Sequence, residues 1–180
     1  MRKKSSAKKS WRRIDRHPAF RFLEGLWRNN VPYVIIGVTG LNYYALSPGR
    51  VYGTQDIDVF VKPDSDALRD AYRAAVNAGL DISHQGKPVT SMKKMVKIAG
   101  STTPVVLSSS LIYLTIDLIQ SVTGMSFEDL YRGHSVFRTD GIPVRVAARE
   151  KIIGSKILAG REKDEAFLKI YRAGIRRKSR

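Results

Sequence analysis

Three aspartates carry the chemistry this sequence suggests. Asp56 and Asp58 stand in the run Gly53-Thr54-Gln55-Asp56-Ile57-Asp58-Val59-Phe60-Val61. The run reads as a buried strand, and residues two apart on a strand point the same way, with Cα atoms roughly 6–7 Å apart. Both carboxylates then converge on one small volume, while Ile57, Val59 and Val61 face the other side. Paired carboxylates repel each other and are costly to take out of water. A divalent cation relieves both penalties, and an all-oxygen donor set selects a hard ion such as Mg²⁺ or Mn²⁺. Asp-x-Asp by itself is most often a solvated strand edge, so its surroundings decide.

The third aspartate is Asp117, inside the apolar run Leu111-Ile112-Tyr113-Leu114-Thr115-Ile116-Asp117-Leu118-Ile119. An acid there is expensive unless something compensates it. If the two strands are neighbours, about 4.8 Å apart, Asp117 joins Asp56 and Asp58 in one cluster; otherwise it caps the turn that follows. Three such carboxylates have the composition of a two-ion site for in-line phosphoryl displacement. No histidine pair or cysteine ligand is available for zinc, because the chain has no cysteine and its three histidines, His17, His84 and His134, are scattered. No nucleophile elbow for Ser-His-Asp hydrolysis is recognisable.

The elements that must position these groups follow from periodicity. A helix is expected from Pro18, with Phe20, Phe22, Leu23, Leu26 and Trp27 on one side, ending at Asn29-Asn30. Tyr33-Val34-Ile35-Ile36 reads as a buried strand closed by Gly37, and Gly37-Val38-Thr39-Gly40 links it to a helical run over 41–46. A glycine turn of this kind lets backbone approach a phosphate, and Thr39 adds a hydroxyl. Ser47-Pro48-Gly49 breaks that helix, and Arg50 follows in the loop ahead of the Asp strand, within reach of a phosphate or simply in solvent. A helix over 65–78 is capped by Asp64 or Ser65. Residues 81–103 carry no clear pattern; Lys93, Lys94 and Lys97 form a basic cluster there. A short helix is expected near 126–131, a hairpin around Asp140-Gly141, then helices over 148–159, which carries Lys156, and 163–171.

A chain of 180 residues with 43% hydrophobic and 27% charged residues suits one globular domain. The fold class expected is α+β, a mixed sheet with helices packed on it and a C-terminal helical segment. The domain boundaries are a disordered basic tail over 1–16, a core over 17–171 and a basic tail over 172–180. The absence of cysteine fits a reducing cytoplasm, and neither a membrane span nor a secretory leader is recognisable. The formal net charge is +16. Residues 1–16 hold eight Lys and Arg against Asp15, and residues 172–180 hold five with no acid. Basic tails suit a polyphosphate partner, since Lys and Arg displace condensed counterions. Their alternatives are a solubilising extension or an arm that docks on an acidic protein.

Taken together, Tyr33–Gly37, the Gly37–Gly40 turn and Thr54-x-Asp56-Ile57-Asp58-Val59 resemble the nucleotidyltransferase superfamily that shares its palm core with DNA polymerase beta. The run from Arg145 to Asp164 resembles the C-terminal segment of its small toxin-type members, found in abortive-infection and toxin–antitoxin systems. The resemblance spans about residues 20–170. It implies a nucleotidyltransferase-like fold and metal-dependent transfer of an NMP from an NTP to a hydroxyl acceptor such as RNA, tRNA included, with a protein antitoxin as a further partner. Asp56, Asp58 and Asp117 would bind Mg²⁺ or Mn²⁺, with Asp117 also placed to take the acceptor proton. Gly37, Thr39, Arg50 and Lys156 would serve the NTP phosphates. The chain differs from the family pattern at Val38, where Gly or Ser is usual, at Tyr52, where Arg is frequent, and at Phe167, where a second Asp is common. The alternative reading is a nucleotidyltransferase fold without turnover that binds nucleic acid or a protein. A sugar-nucleotide enzyme ranks last, because it needs a larger acceptor platform.

Overall fold

The computed structural model describes residues 17–45, 51–110 and 112–176. The tail over 1–16, the break at Ser47-Pro48-Gly49, Arg50 and residues 177–180 lie outside the described residues. The fold is α+β. The helices are α1 (Pro18–Arg28), α2 (Gly37–Asn42), α3 (Ser65–Ala78), α4 (Met92–Lys97), α5 (Phe127–Tyr131), α6 (Arg149–Ala159) and α7 (Glu162–Arg176). The strands are β1 (Tyr33–Ile35), β2 (Asp56–Val61), β3 (Asp81–His84), β4 (Lys87–Pro88), β5 (Val105–Ser109), β6 (Ile112–Ile119), β7 (Ser135–Thr139) and β8 (Ile142–Val146). They form one mixed sheet in the order β4-β3-β5-β6-β2-β1-β8-β7.

The centre of this sheet fixes everything near the aspartates. β2 pairs with β6 in parallel, with Asp58 opposite Asp117 and Asp56 opposite Thr115. On its other side β2 pairs antiparallel with β1, which in turn runs parallel to β8. Central strands buried on both sides should be rich in branched apolar residues. Accordingly Val59, Val61, Ile116 and Leu118 are buried, and Phe60, on the Asp58 side, is buried against the edge of the Phe127 ring. Buried residues of α1 (Phe22, Leu23, Leu26) and α3 (Leu68, Ala71, Ala75) belong to the same core. The two helices approach closely where Gly25 meets Ala74, since a Cβ at Gly25 would sit 3.0 Å from the Ala74 Cβ.

Local signals account for most boundaries. Asp64 caps α3 by accepting from the Ala67 N–H at 2.8 Å, and Gly79, at φ +73, ends it in the left-handed region. Ser126 and Asp129 form a reciprocal capping box at α5. Asp140 and Gly141 both take positive φ between β7 and β8, the pairing that a two-residue hairpin turn needs.

Several expectations change. The helix expected over 41–46 instead begins at Gly37 and ends at Asn42. Gly37 reverses the chain at φ +65, so Gly40 N–H already bonds to the Ile36 carbonyl at 2.9 Å. The Asp strand starts at Asp56 rather than Gly53. The unassigned stretch 81–103 contains β3, β4 and α4, and β5 follows it; Gln85 and Gly86, both at positive φ, make the β3–β4 turn. Lys93, Lys94 and Lys97 are exposed on α4. The last helix runs through Arg176, into the segment expected to be a tail.

Leu118 is fully buried directly beside Asp117. Truncating such a core leucine costs roughly 2–5 kcal/mol. Leu118→Ala is expected to lower the unfolding free energy by that amount, read as a lower urea midpoint with an unchanged slope.

Candidate metal centre

Strand alternation and register together bring the acids into one place. Asp56 and Asp58 share a face of β2, and the parallel β2–β6 ladder sets Asp117 beside Asp58. Each residue offers a carboxylate oxygen, and these oxygens lie within 4.8 Å of one another. This is the only group of its kind among the described residues. Within the same limits, no lysine or arginine closes to ion-pair distance of any of the three.

Burial and mutual repulsion act on these carboxyls more strongly than the neighbouring lysines do. Burial first, then the Asp56 and Asp117 charges, push the Asp58 carboxyl from its ordinary 3.8 up to about 6, against the pull of Lys156 and Lys163. Asp117 is also raised, by burial and then by Asp56, with Lys163 opposing. An all-carboxylate cluster short of positive charge fits a hard divalent cation.

Nearby residues hold the acids in position. Thr54 donates its hydroxyl to Asp56 Oδ1 at 2.6 Å, fixing that carboxylate from two residues upstream. Thr39 donates to the Asp56 main-chain carbonyl at 2.9 Å, so its hydroxyl hydrogen ties α2 to β2. Gly37 lies flat against Asp58: a Cβ there would sit 2.8 Å from Asp58 Cγ and closer still to Oδ2. Its glycine is therefore required twice, by its positive φ and by the space.

Beside Asp58 opens a cleft of about 450 Å³, with Gly37, Thr102, Gln120, Ser121, Lys156 and Arg161 among its walls. Lys156 is buried and donates to Asp164 Oδ1 at 2.8 Å, and its ammonium lies 5.2 Å from the Phe167 ring centroid. Arg161 meets the other Asp164 oxygen at 2.5 Å. Burial raises the Asp164 carboxyl, but the Lys156 and Arg161 hydrogen bonds outweigh it and hold it below the usual range. Gln120 is buried at the end of β6; its Oε1 accepts from Gly100 N–H at 2.9 Å, while Nε2 lacks a hydrogen-bond partner.

The structure thus brings together Asp56, Asp58 and Asp117, and places Gly37 and Lys156 in the adjoining cleft. Thr39 is a neighbour whose donor is engaged by Asp56, and Arg50 lies outside the described residues. Sequence reasoning passed over Asp164, Gln120 and Lys163. Asp164 follows Lys156 at a distance that only the α6–α7 turn explains, and Gln120 gives no signal beyond its place after an apolar strand. Two departures from the resembled pattern meet in space, because the Tyr52 and Phe167 rings touch edge-on, with centroids 5.1 Å apart.

Among known proteins, no family model matches this chain and no curated protein matches it.

A carboxyl whose pKa is higher folded than unfolded stabilises the fold fully below its unfolded value and loses that contribution as pH rises through the folded value. For Asp58 the window runs from about 3.8 to about 6. In metal-free buffer Asp58→Asn is expected to be more stable than the parent chain at pH 7.5, by up to about 3 kcal/mol. The advantage should fade towards pH 4, as read by urea denaturation across that range.

Proposed function

We propose that this protein is a divalent-metal-dependent nucleotidyltransferase that moves an NMP from an NTP to a hydroxyl of RNA, tRNA being one such acceptor. The observation that carries this reading is the meeting of Asp56, Asp58 and Asp117 oxygens within 4.8 Å, without a neutralising ion pair among the described residues. Mg²⁺ or Mn²⁺ held by these carboxylates would supply Lewis acidity to the acceptor oxygen and to the triphosphate. The acceptor oxygen forms a bond to the α-phosphorus as the bond to pyrophosphate breaks, and the hydroxyl proton would pass to Asp117, the carboxylate that stands opposite Asp58 across the ladder. Lys156 and the Gly37 backbone border the cleft in which the triphosphate would lie. Asp164, held between Lys156 and Arg161, orients the lysine there rather than leaving it mobile.

The formal charge of +16 supports a polyanionic acceptor. Among the described residues no helix is long and apolar enough to cross a membrane. The lack of cysteine is consistent with a reducing compartment such as the cytoplasm. The likeness to toxin-type members adds a protein antitoxin as a partner in the same reading.

The test is incubation of the full chain with each α-labelled NTP, Mg²⁺ and total RNA. Label is expected on RNA with at least one NTP. Asp58→Asn and Asp117→Asn should each reduce it by more than about a hundredfold, since loss of a group that merely supports a metal ligand already costs about 10–100-fold. No transfer with any NTP, alongside RNA binding that Asp58→Asn leaves intact and deletion of residues 1–16 abolishes, would replace this reading with that of a binding fold without turnover.

A further inference from the structure

Gln120 follows β6 directly, and only half of its amide is used. The residue is 3% exposed, and its Oε1 accepts from the Gly100 N–H at 2.9 Å, which ties the loop between α4 and β5 to the end of β6. That N–H can only donate, so the atom facing it must be the oxygen, and the NH₂ end is left over. Nε2 is buried without a hydrogen-bond partner, one of two such side-chain atoms among the described residues. The other, Tyr33 Oη, belongs to a ring in the hydrophobic core, whereas Gln120 lines the cleft beside Asp58. A buried donor without an acceptor is costly, so this one is a gap that a ligand can fill.

The cleft is divided by charge. Its charged walls are Asp58 from β2 and Lys156 and Arg161 from α6 and the turn after it; its other walls carry none. Among the uncharged walls Pro104, Ile119 and Val122 are apolar, suited to the faces of a flat ring, and they come from the loop before β5 and the end of β6, as Gln120 does. A nucleotide has the same division, with a charged triphosphate and an uncharged planar base whose edge is polar. A smaller neighbouring cavity, of about 320 Å³, shares the walls Gln120, Ser121 and Val122 but has none of the three charged ones. The cleft is therefore the place where both halves of a nucleotide meet matching walls.

We infer that the cleft receives the base of the nucleotide substrate, and that Gln120 Nε2 is the donor that selects a base with an exocyclic carbonyl: uracil, guanine or cytosine over adenine. The inference rests on the NTP reading above and adds which bases the site accepts. The terminal torsion of a glutamine is soft, so a small turn presents the N–H to a carbonyl in the cleft. The adenine amino group is itself a donor and leaves Nε2 unpaired. A site built around such a group rejects the ligand that cannot bond to it.

The experiment is calorimetric titration of the full chain, with Mg²⁺ and without RNA, by the α,β-methylene analogues of UTP, CTP, GTP and ATP, which bind without transfer. At least one carbonyl-bearing analogue is expected to bind about tenfold or more tighter than the ATP analogue. Gln120→Glu keeps an oxygen for the Gly100 N–H and removes only the free donor. It should weaken the preferred analogue about tenfold relative to the ATP analogue; the ratio is read because an added charge would weaken all four alike. Gln120→Met removes the donor without a charge and should collapse the same ratio, which covers a fold lost in the glutamate variant. Tightest binding of the ATP analogue, equal binding of all four, or a preference that survives both variants overturns the assignment and leaves Nε2 satisfied by a buried water. A failed transfer assay alongside Gln120-dependent base choice removes the enzymatic reading alone. Successful transfer with base choice independent of Gln120 removes this assignment alone, and binding of no analogue removes it together with the NTP reading.

Discussion

Backbone hydrogen bonding in the β2–β6 ladder holds like charges together. Asp58 and Asp117 are direct neighbours across a parallel pair, and Asp56 is two residues from Asp58 on the same face. Side chains alone would separate, because unneutralised carboxylates at this spacing repel and resist burial. The ladder does not permit it. Its register is secured by the apolar residues that alternate with the acids, Ile57 and Val59 on β2 and Ile116 and Leu118 on β6, all buried. A slip by one residue would exchange the acids with the core residues, so the cost of repulsion is set against the much larger cost of turning a strand inside out. The raised pKa of Asp58 is the chemical record of that contest.

Around this constraint the structure adds supports that leave the charge itself unneutralised. Thr54 and Thr39 grip Asp56 at its carboxylate and its carbonyl. Gly37 presses its bare backbone against Asp58. The nearest buried lysine, Lys156, is tied instead to Asp164, which also binds Arg161. Asp164 thus supplies the ion-pair partner of a lysine buried in the cleft beside the acids. The Tyr52–Phe167 contact continues this outer layer, with Tyr171 against both rings. An aromatic cluster there joins α7 to the loop before β2 without introducing further charge.

How much of this was legible in the chain depended on the range of the interaction. The pairing of Asp56 with Asp58 followed from period-two alternation, a purely local rule. Asp117 required knowing which strand neighbours which, and the sequence offered only an acid stranded among apolar residues. The α+β class and most long elements were readable because α1, α3 and β6 have strong periodicity or apolar runs. The start of α2 was misplaced because a glycine turn reads as a loop, whereas the Gly37 positive φ starts the helix at once. β3 and β5 gave weak signals, since His84, Ser83, Ser108 and Ser109 interrupt them and their pairing is supplied by neighbours. The Lys156–Asp164–Arg161 network depends on the turn between α6 and α7, a tertiary fact that no spacing rule states. Tyr113 reads as another apolar strand residue, yet its ring is fully exposed.

The sheet also governs its own growth. One border is β4, only Lys87 and Pro88 long, and proline lacks the N–H with which a further strand would hydrogen-bond. The opposite border, β7, sets the exposed cation Arg138 among its outward positions. A molecule whose middle holds a crowd of unneutralised acids is thus fenced at one margin by a missing donor and at the other by positive charge. Ladder extension is therefore opposed at the β4 margin by a two-residue strand with a missing donor, and at the longer β7 margin by the charge of Arg138 alone, beside the exposed Val136.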